Sequence, residues 1–349
     1  MLGWFHTLDP IIFRISGELA VRWYGVAYIT GFILAYFWMQ ALSRRKLTPL
    51  SPAYLMDALT WLVMGVILGG RFGYVLFYSP ELLITFSKSF PFWGVLMLNR
   101  GGMASHGGMI GVALACVALA LRRDERGERP QMLHLFDVCA LVCTPGLGLG
   151  RLANFVNGEL LGRVVAPPGQ KGPWWSVQYP QEVLEGHAPK LDNAQASALL
   201  DLCADMAPGQ RFEAAYQRVL DLLHHGPAAR KAEIIERLSP LVSSRHPSQL
   251  YQAFAESVVL GAALWFIWRR PRSPGVIAAS FLIIYGAGRI ITEFWRLPDA
   301  DLALQRIAGL SRGQWLSAGM ILIGGAALAL ISRRSAPKMG GWGAPHGPR

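Results

Sequence analysis

A charged residue interrupts one of the apolar runs of this chain. Arg289 lies in the run from Ile277 to Trp295, with Tyr285 one helical turn before it and Glu293 one turn after it. A charge at the centre of a membrane helix costs about 2.5–3.5 kcal/mol on insertion scales, so it normally faces a protein-lined or aqueous cavity. The stripe therefore predicts a functional site. A glutamate that only neutralises the arginine and stabilises a helix bundle is the alternative.

A second polar cluster lies in the segment GRLANFVNGELLG, residues 150–162. If this segment is helical, Arg151 and Asn154 share a face, Asn157 extends that face, and Glu159 follows it. A guanidinium with neighbouring amides suits bidentate binding of a phosphate. We therefore expect these four residues to bind an anionic group.

One histidine lies between two pairs of glycines in GGMASHGGMIG, residues 101–111. A lone histidine is usually structural, but His106 can exchange a proton near neutral pH, and glycines permit close approach of a ligand. The glycines add nothing to helix stability, which favours a functional histidine. Together with Arg151 and Arg289, this residue predicts a cationic pocket that binds an anionic lipid headgroup and contains a proton acceptor.

Other glycines recur every four residues, at Gly65, Gly69 and Gly73. Ridges of small residues let membrane helices approach closely, so packing is the expected role of these three glycines. Arg71 stands among them near one end of an apolar stretch. Its charge could be relieved by snorkelling, and the sequence leaves a structural and a functional role equally open.

The composition predicts that membrane helices carry these residues. Hydrophobic residues make up 52% of the chain and charged residues 16%, whereas soluble domains contain roughly 25% charged residues. Apolar stretches long enough for a ~30 Å hydrocarbon core occur near residues 21–42, 56–78, 104–121, 132–152, 249–268, 275–294 and 314–332. We therefore expect an all-α integral membrane protein with seven transmembrane helices and a small extracytoplasmic head domain.

Basic clusters follow the first, third, fifth and seventh stretches, and so lie on one side of the membrane. They comprise Arg44, Arg45 and Lys46; Arg122, Arg123, Arg126 and Arg129; Arg269, Arg270 and Arg272; and Arg333 and Arg334. The positive-inside rule makes these loops cytoplasmic, so the N-terminus should lie outside and the C-terminus inside. The net charge of +11 then reflects orientation and attraction to anionic lipid. Nucleic acid is not an expected partner.

The predicted organisation has five parts. They are an outer interfacial segment over 1–20, transmembrane helices 1–4 over 21–157, a periplasmic head domain over 158–247, transmembrane helices 5–7 over 248–334, and a disordered cytoplasmic tail over 335–349. No cleavable signal peptide is expected, because the first basic cluster follows the first apolar run. In the head, Phe212, Ala215, Tyr216, Val219 and Leu223 recur at the spacing of one helix face.

No cofactor is expected from the sequence. Cys116, Cys139 and Cys143 lie in predicted spans and Cys203 stands alone, a distribution that matches neither a disulfide framework nor a metal site. The predicted spans lack clustered Asp, His and Cys ligands, and the glycine-rich stretches lack the GK[ST] ending of a phosphate-binding loop. We therefore predict neither a metal nor a nucleotide.

Six segments of the chain resemble the prolipoprotein diacylglyceryl transferase family. They are RWYG (22–25), GGRFGYVLFY (69–78), SHGGMIGV (105–112), GRLANFVNGELLG (150–162), RHPSQLY (245–251) and YGAGRIITEFWRLPD (285–299). The resemblance implies a seven-span bacterial inner-membrane protein with a periplasmic head. The implied reaction transfers an sn-1,2-diacylglyceryl group from phosphatidylglycerol to the lipobox cysteine thiol of a prolipoprotein, forming a thioether and releasing glycerol phosphate.

The resemblance also implies which positions matter. Carried over onto this sequence, they are Tyr24, His106, Arg151, Asn154, Glu159, Gly162, Tyr285, Arg289 and Glu293. The chain departs from the family in two places. Gln252 stands where the family often has glutamate, and the head, over about 163–245, is longer and poorly matched.

These residues support a hypothesis for the reaction. Arg151 and Arg289 hold the phosphate as negative charge grows on it, since preorganised cations in a water-poor site stabilise developing charge. Asn154 and Tyr285 orient the phosphate. His106 is the first candidate for the general base; Glu293 and Glu159 are the alternatives.

Both expected substrates, phosphatidylglycerol and a prolipoprotein signal peptide with its lipobox cysteine, reside in the lipid bilayer. Access should therefore be lateral, between helices. A phospholipid phosphatase or phosphodiesterase would also use arginines and a histidine around a phosphate. A transporter would instead distribute its charges along a path through the membrane, and here they gather toward one face.

Overall fold

The computed structural model describes residues 3–16, 19–87, 92–97, 102–123, 131–184, 188–297, 306–307 and 309–342. Its helices are α1 (Trp23–Arg44), α2 (Pro52–Tyr78), α3 (Ser105–Leu121), α4 (Met132–Val142), α5 (Thr144–Asn157), α6 (Asn193–Met206), α7 (Phe212–His225), α8 (Ala228–Leu238), α9 (Ser248–Ala253), α10 (Leu260–Trp268), α11 (Val276–Thr292) and α12 (Arg312–Ser332). A π-helical turn (Phe254–Val259) joins α9 to α10. The short strands are β1 (Trp4–Phe5), β2 (Ile11–Ser16), β3 (Leu19–Arg22), β4 (Val164–Ala166), β5 (Val177–Gln178), β6 (Ser244–Arg245), β7 (Arg306–Ile307) and β8 (Leu310–Ser311).

The prediction of a mostly helical, multi-pass membrane protein is confirmed. All seven predicted stretches are helical. Within the described residues, five helices are long and apolar enough to cross a membrane: Trp23–Arg44, Pro52–Tyr78, Ser248–Trp268, Val276–Trp295 and Gly313–Ser332. The bent pair α4 and α5 adds a sixth, while α3 is a shorter apolar helix. The structure thus supports five or six spans by length, where the sequence predicted seven.

The stretch predicted as one span over 132–152 is two helices in the structure. The α4 and α5 helices meet at an angle of 42°. Pro145 is the second residue of α5, and proline lacks the backbone N–H that would continue a helix across this point. The bend sets the direction in which α5 carries Arg151 and Asn154.

Contacts divide the chain into two compact units. The first unit comprises Met1–Tyr28, Leu147–Val258 and Tyr285–Gly319, and the second comprises Ile29–Gly146, Val259–Ile284 and Met320–Arg349. In the second unit α2 packs along α3. A Cβ on Gly65 would lie 2.6 Å from the Gly111 carbonyl oxygen, and a Cβ on Gly69 would lie 2.4 Å from that of Gly107. The packing role predicted for the α2 glycines is confirmed.

Arg71 has a structural role in the second unit. Its Nε donates to the Val95 carbonyl at 2.7 Å, its Nη2 to Gly94 at 2.8 Å and its Nη1 to Gly102 at 3.0 Å. These three bonds tie the segments before α3 to α2. Of the two roles left open by the sequence, the contacts favour the structural one.

The end of the chain differs from the sequence-based expectation. The backbone of Met339 exchanges two hydrogen bonds with Arg272, and the Trp342 ring lies 4.2 Å from that of Trp265. The prediction of a disordered tail over 335–349 is therefore wrong for Met339 and Trp342, because a backbone bridge and a ring contact hold these residues in place. Residues 343–349 lie outside the described part of the chain.

The first unit contains a small sheet and a helical core. The sheet has the order β1-β5-β6-β4, and β1 pairs in parallel with β5, Trp4 against Val177. The helical face predicted in the head is confirmed in α7 for four of its five residues, whereas Phe212 is 38% exposed. Ala215, Tyr216, Val219 and Leu223 are buried there, together with Leu202 and Cys203 of α6. The core of this unit thus forms between α6, α7 and α8.

The N-terminal residues form strands. The β2 and β3 strands make a two-stranded antiparallel sheet, and β2 exposes Ile12, Phe13 and Ile15. Exposed large apolar side chains on a short ribbon suit a membrane interface. The outer interfacial segment over 1–20 remains a prediction; residues 1, 2, 17 and 18 lie outside the described part.

Candidate active site

A buried ion pair holds the Arg151 side chain in the first unit. Its Nε donates to Oε2 of Glu256 at 2.9 Å, and its Nη2 donates to Oε1 at 3.1 Å. The Glu256 side chain is 3% exposed and that of Arg151 is 20% exposed. A bidentate pair fixes the plane of the guanidinium. The remaining part of Arg151 can therefore meet a ligand in a defined orientation.

The partner of Arg151 was missed by the sequence-based reasoning. Glu256 lies on the π-helical turn, and such turns are rare and often occur at functional sites. A Cβ on Gly148 would lie 2.4 Å from Cβ of Ser257, so this glycine lets α5 approach the turn closely. The available signal was a single carboxylate in the apolar run 249–268, which calls for a partner.

The three residues of the α11 stripe come together as predicted. Arg289 Nη1 lies 3.0 Å from Oε2 of Glu293. The Tyr285 side chain lies against the Arg151 guanidinium and within electrostatic range of both Arg289 and Glu256. Tyr285 therefore interacts with both arginines, as expected if they share one anion site.

Glu293 is held from several sides. Ser311 donates its hydroxyl to Oε1 at 2.9 Å, and Arg296 Nη1 lies 3.8 Å from Oε2. Ser311 is itself fixed, since its backbone N–H donates to the Gln314 side chain at 3.0 Å. The carboxylate of Glu293 is thus committed to contacts that position Arg289.

A second cluster surrounds Glu159, just beyond α5. Asn154 donates its Nδ2 to Oε1 of Glu159 at 2.6 Å and to the Tyr24 hydroxyl at 3.1 Å. Asn157 Nδ2 also lies 3.4 Å from Oε1 of Glu159. The Tyr24 ring lies 5.4 Å from that of Tyr28. The sequence predicted that Arg151, Asn154, Asn157 and Glu159 would converge. The structure brings the last three together with Tyr24, whereas Arg151 pairs with Glu256.

Gly162 has a packing role that explains why no side chain fits there. A Cβ at this position would lie 2.1 Å from the His246 carbonyl oxygen. The Gly162 carbonyl accepts from Arg245 Nη1 at 3.1 Å, and the residue forms a backbone bridge with Arg296. Its predicted importance is therefore explained by close backbone approach.

His6 supports the end of α5, and the sequence gave no sign of it. Its Nε2 is hydrogen-bonded to the Phe155 carbonyl at 2.8 Å, and its ring lies 5.3 Å from that of Tyr179. Burial lowers the pKa of His6 from 6.5 to about 4. The imidazole is therefore neutral at physiological pH and contributes packing and one hydrogen bond beside Asn154.

His106 lies in the first turn of α3, in the second unit. Its side chain lies outside the described part of the structure. The neighbouring glycines have a different role from the one inferred. A Cβ on Gly107 would lie 2.2 Å from the Gly69 carbonyl oxygen. Helix packing thus accounts for Gly107, and the functional argument that rested on the glycines no longer supports His106.

Comparison with known proteins identifies the family of this chain. The prolipoprotein diacylglyceryl transferase family model matches residues 10–330. The chain belongs to the prolipoprotein diacylglyceryl transferase family. All the residues that we assign to the site lie inside the matched range.

Individual members of the prolipoprotein diacylglyceryl transferase family match over nearly their whole length. A protein of Bdellovibrio bacteriovorus is 38% identical over 98% of this chain and 97% of its own length. One from Ralstonia pickettii is 37% identical over 94% of both chains, and one from Ruegeria pomeroyi is 35% identical over 92% of this chain and 94% of its own. Each is named phosphatidylglycerol--prolipoprotein diacylglyceryl transferase.

Proposed function

We propose that this chain transfers the sn-1,2-diacylglyceryl group of phosphatidylglycerol to the lipobox cysteine of a prolipoprotein. One observation carries the proposal beyond the family relationship. Arg151 and Arg289 both interact with Tyr285, and each is paired with its own glutamate. Two oriented guanidiniums suit bidentate binding of a phosphate diester.

In the proposed reaction the cysteine sulfur attacks the glyceryl carbon that carries the phosphate. A carbon–sulfur bond forms, the carbon–oxygen bond to phosphate breaks, and glycerol phosphate leaves with the bonding electrons. The thiol proton passes to a general base. Arg151 and Arg289 stabilise the charge that develops on the departing phosphate, because their positions are fixed before the reaction.

The two glutamate candidates for the general base already have polar partners. Glu293 already accepts from Ser311 and pairs with Arg289, and Glu159 already accepts from Asn154 and Asn157. These contacts support positioning roles for the two glutamates, and His106 stays the first candidate for the base.

The proposed setting follows from the substrates. Phosphatidylglycerol and the signal peptide reach the site laterally from the bilayer, which we place in the bacterial inner membrane. The N-terminus and residues 158–247 face the periplasm, and the C-terminus faces the cytoplasm. Tyr24, Asn154, Asn157 and Glu159 form the polar wall that receives the headgroup.

A direct assay tests this function. The purified full-length protein is incubated with phosphatidylglycerol and a peptide that contains a lipobox cysteine, and the peptide is analysed by mass spectrometry. We expect the mass to rise by one diacylglyceryl group, and a peptide with serine in place of cysteine to stay unmodified. Release of diacylglycerol or phosphatidic acid without peptide modification would instead identify a phospholipid hydrolase.

A further inference from the structure

A small cavity lies beyond the end of α11, next to the proposed site. We call it the helix-end cavity. Its volume is about 70 Å³, and its walls include Arg163, Glu293, Arg296, Leu310, Ser311 and Gln314. A single water needs about 10–15 Å³ on the same measure. The space therefore accommodates roughly five heavy atoms, the number in a phosphate group.

Arg163 lies in the wall of this cavity, and its described contacts do not account for the position of its charge. Within the part of the chain that the structure describes, its guanidinium has no hydrogen-bond or ion-pair partner. The ordinary requirement for a half-buried guanidinium is an anion or several acceptors. Glu293, the carboxylate in the same wall, is already paired with Arg289 at 3.0 Å. Among the described residues of this wall, two arginines therefore face a single carboxylate.

The backbone fixes Arg163 and Arg296 in place. The Arg163 N–H donates to the Trp295 carbonyl at 2.9 Å, and the Leu297 N–H donates to the Leu161 carbonyl at 3.0 Å. Between these two bonds Gly162 is bridged to Arg296. The two segments thus run side by side, and the backbone that carries the two arginines is fixed before any ligand arrives. Such preorganisation lowers the cost of binding.

The position of the cavity matches the path of one reaction product. Glu293, which positions Arg289, also lines the cavity, so the cavity begins at the proposed phosphate site. It lies at the end of the apolar helix Val276–Trp295, where a membrane span meets water. Phosphatidylglycerol can arrive from the bilayer, but glycerol phosphate is a soluble anion and must leave through an aqueous route.

We infer that the helix-end cavity is a second anion subsite, in which Arg163 and Arg296 receive the phosphate of glycerol phosphate as it leaves Arg289. The inference rests on the proposed function for the identity of the ligand. The chemistry recognised is an anionic phosphate, which glycerol phosphate presents as a monoester and the competing intact phospholipid headgroup presents as a diester.

Equilibrium binding tests the subsite without relying on transfer activity. Titration calorimetry of the intact purified protein with glycerol phosphate is compared between the natural chain and Arg163→Gln. A charge-assisted hydrogen bond contributes about 1.5–3 kcal/mol, so we expect the dissociation constant to rise at least tenfold. Arg163→Lys should recover part of this loss. Equal dissociation constants for the natural chain and Arg163→Gln would overturn the inference.

A kinetic arm distinguishes the two sources of phosphate. In the transfer assay, glycerol phosphate is added as a product inhibitor, and its inhibition constant is compared with KM for phosphatidylglycerol. The subsite predicts that Arg163→Gln raises the ratio of the inhibition constant to KM about tenfold. An equal rise in both would assign Arg163 to the lipid substrate and overturn the product assignment.

The control variant is Arg230→Gln, which alters a guanidinium paired with Glu233 at 2.9 Å on the exposed face of α8. We expect it to change neither the dissociation constant nor the ratio. Absence of transfer in the natural chain with intact binding of glycerol phosphate would contradict the proposed function alone. Transfer with no effect of Arg163→Gln on either quantity would contradict the subsite alone.

Discussion

Two arginine–glutamate pairs in the first unit have the same chemistry and different surroundings. Arg245 and Glu182 are 2% and 0% exposed and are linked through the arginine Nε. Arg151 and Glu256 form a bidentate pair, but the arginine is 20% exposed. We call Arg245–Glu182 the sealed pair, because neither side chain reaches solvent. We call Arg151–Glu256 the open pair, because its arginine is partly exposed and also interacts with Tyr285.

We propose that this difference separates a structural pair from a functional one. Arg245 also donates to the Gly162 carbonyl, and the Ser243 N–H donates to Glu182, so the sealed pair joins β6 to the loop that follows α5. Glu256 instead leaves one side of its arginine available. Partial exposure and an uncommitted face, more than charge alone, are what make an intramembrane arginine a binding residue.

The sealed pair should be the more important one for stability. Arg245→Met leaves Glu182 buried without a counter-ion, and breaking a buried pair costs about 3–5 kcal/mol. We expect the unfolding temperature in detergent to fall sharply. The double variant Arg245→Met with Glu182→Leu should recover most of that loss. Equal stability of the double and single variants would show that the unpaired charge of Glu182 does not cause the loss.

The open pair should be the more important one for activity. Removing one preorganised donor at a developing charge typically costs about 10²–10³ in rate, and we expect Arg151→Gln to lose transfer activity on that scale. Its unfolding temperature should fall less than that of Arg245→Met, since glutamine can still donate a hydrogen bond to the buried Glu256. Arg44→Gln, at the exposed end of α1, is the control. Normal turnover in Arg151→Gln would remove the arginine from the site.

Acid should destabilise the first unit through protonation of His6. Burial lowers its pKa from 6.5 to about 4, so between these values the unfolded chain binds a proton that the folded chain does not. The free energy of unfolding should therefore fall as the pH drops from 6.5 to about 4, by up to roughly 3 kcal/mol. Stability curves of the natural chain and His6→Gln measure this. The same pH dependence of the free energy of unfolding in both proteins would contradict the lowered pKa of His6.

Two glycines on either side of Arg151 should respond in opposite directions. Gly162→Ala places a Cβ 2.1 Å from the His246 carbonyl oxygen, and such overpacking costs about 1–3 kcal/mol. Gly150→Ala, in α5, meets no atom within 4 Å and should stabilise the helix by up to about 1 kcal/mol. Thermal unfolding compares the two variants, and a neutral Gly162→Ala would refute the close-packing role.

Much of the fold and of the site could be predicted, because local patterns determine them. The four-residue spacing of Tyr285, Arg289 and Glu293 fixes them on one helix face, whatever the rest of the chain does. The apolar stretches predicted the helices for the same reason. Asn154 and Glu159 are close in sequence, so their contact followed from the helix ending between them.

The remainder depends on contacts between distant segments. β1 pairs Trp4 with the distant Val177, and Trp342 packs against the distant Trp265. The sequence suggested that Gly107 serves His106, yet in the structure Gly107 packs against Gly69 on another helix. Glu256 shows the same limit, since its sequence context gives no indication of Arg151.

The central claim is that Arg151 and Arg289 hold one lipid phosphate, and lipid binding measures this most directly. The affinity of the purified protein for phosphatidylglycerol is compared with its affinity for diacylglycerol, which lacks the phosphate. We predict that Arg151→Gln and Arg289→Gln each weaken phosphatidylglycerol binding at least tenfold, or about 1.4 kcal/mol, and leave diacylglycerol binding unchanged. Equal losses for both lipids, or no loss for phosphatidylglycerol, would contradict the account.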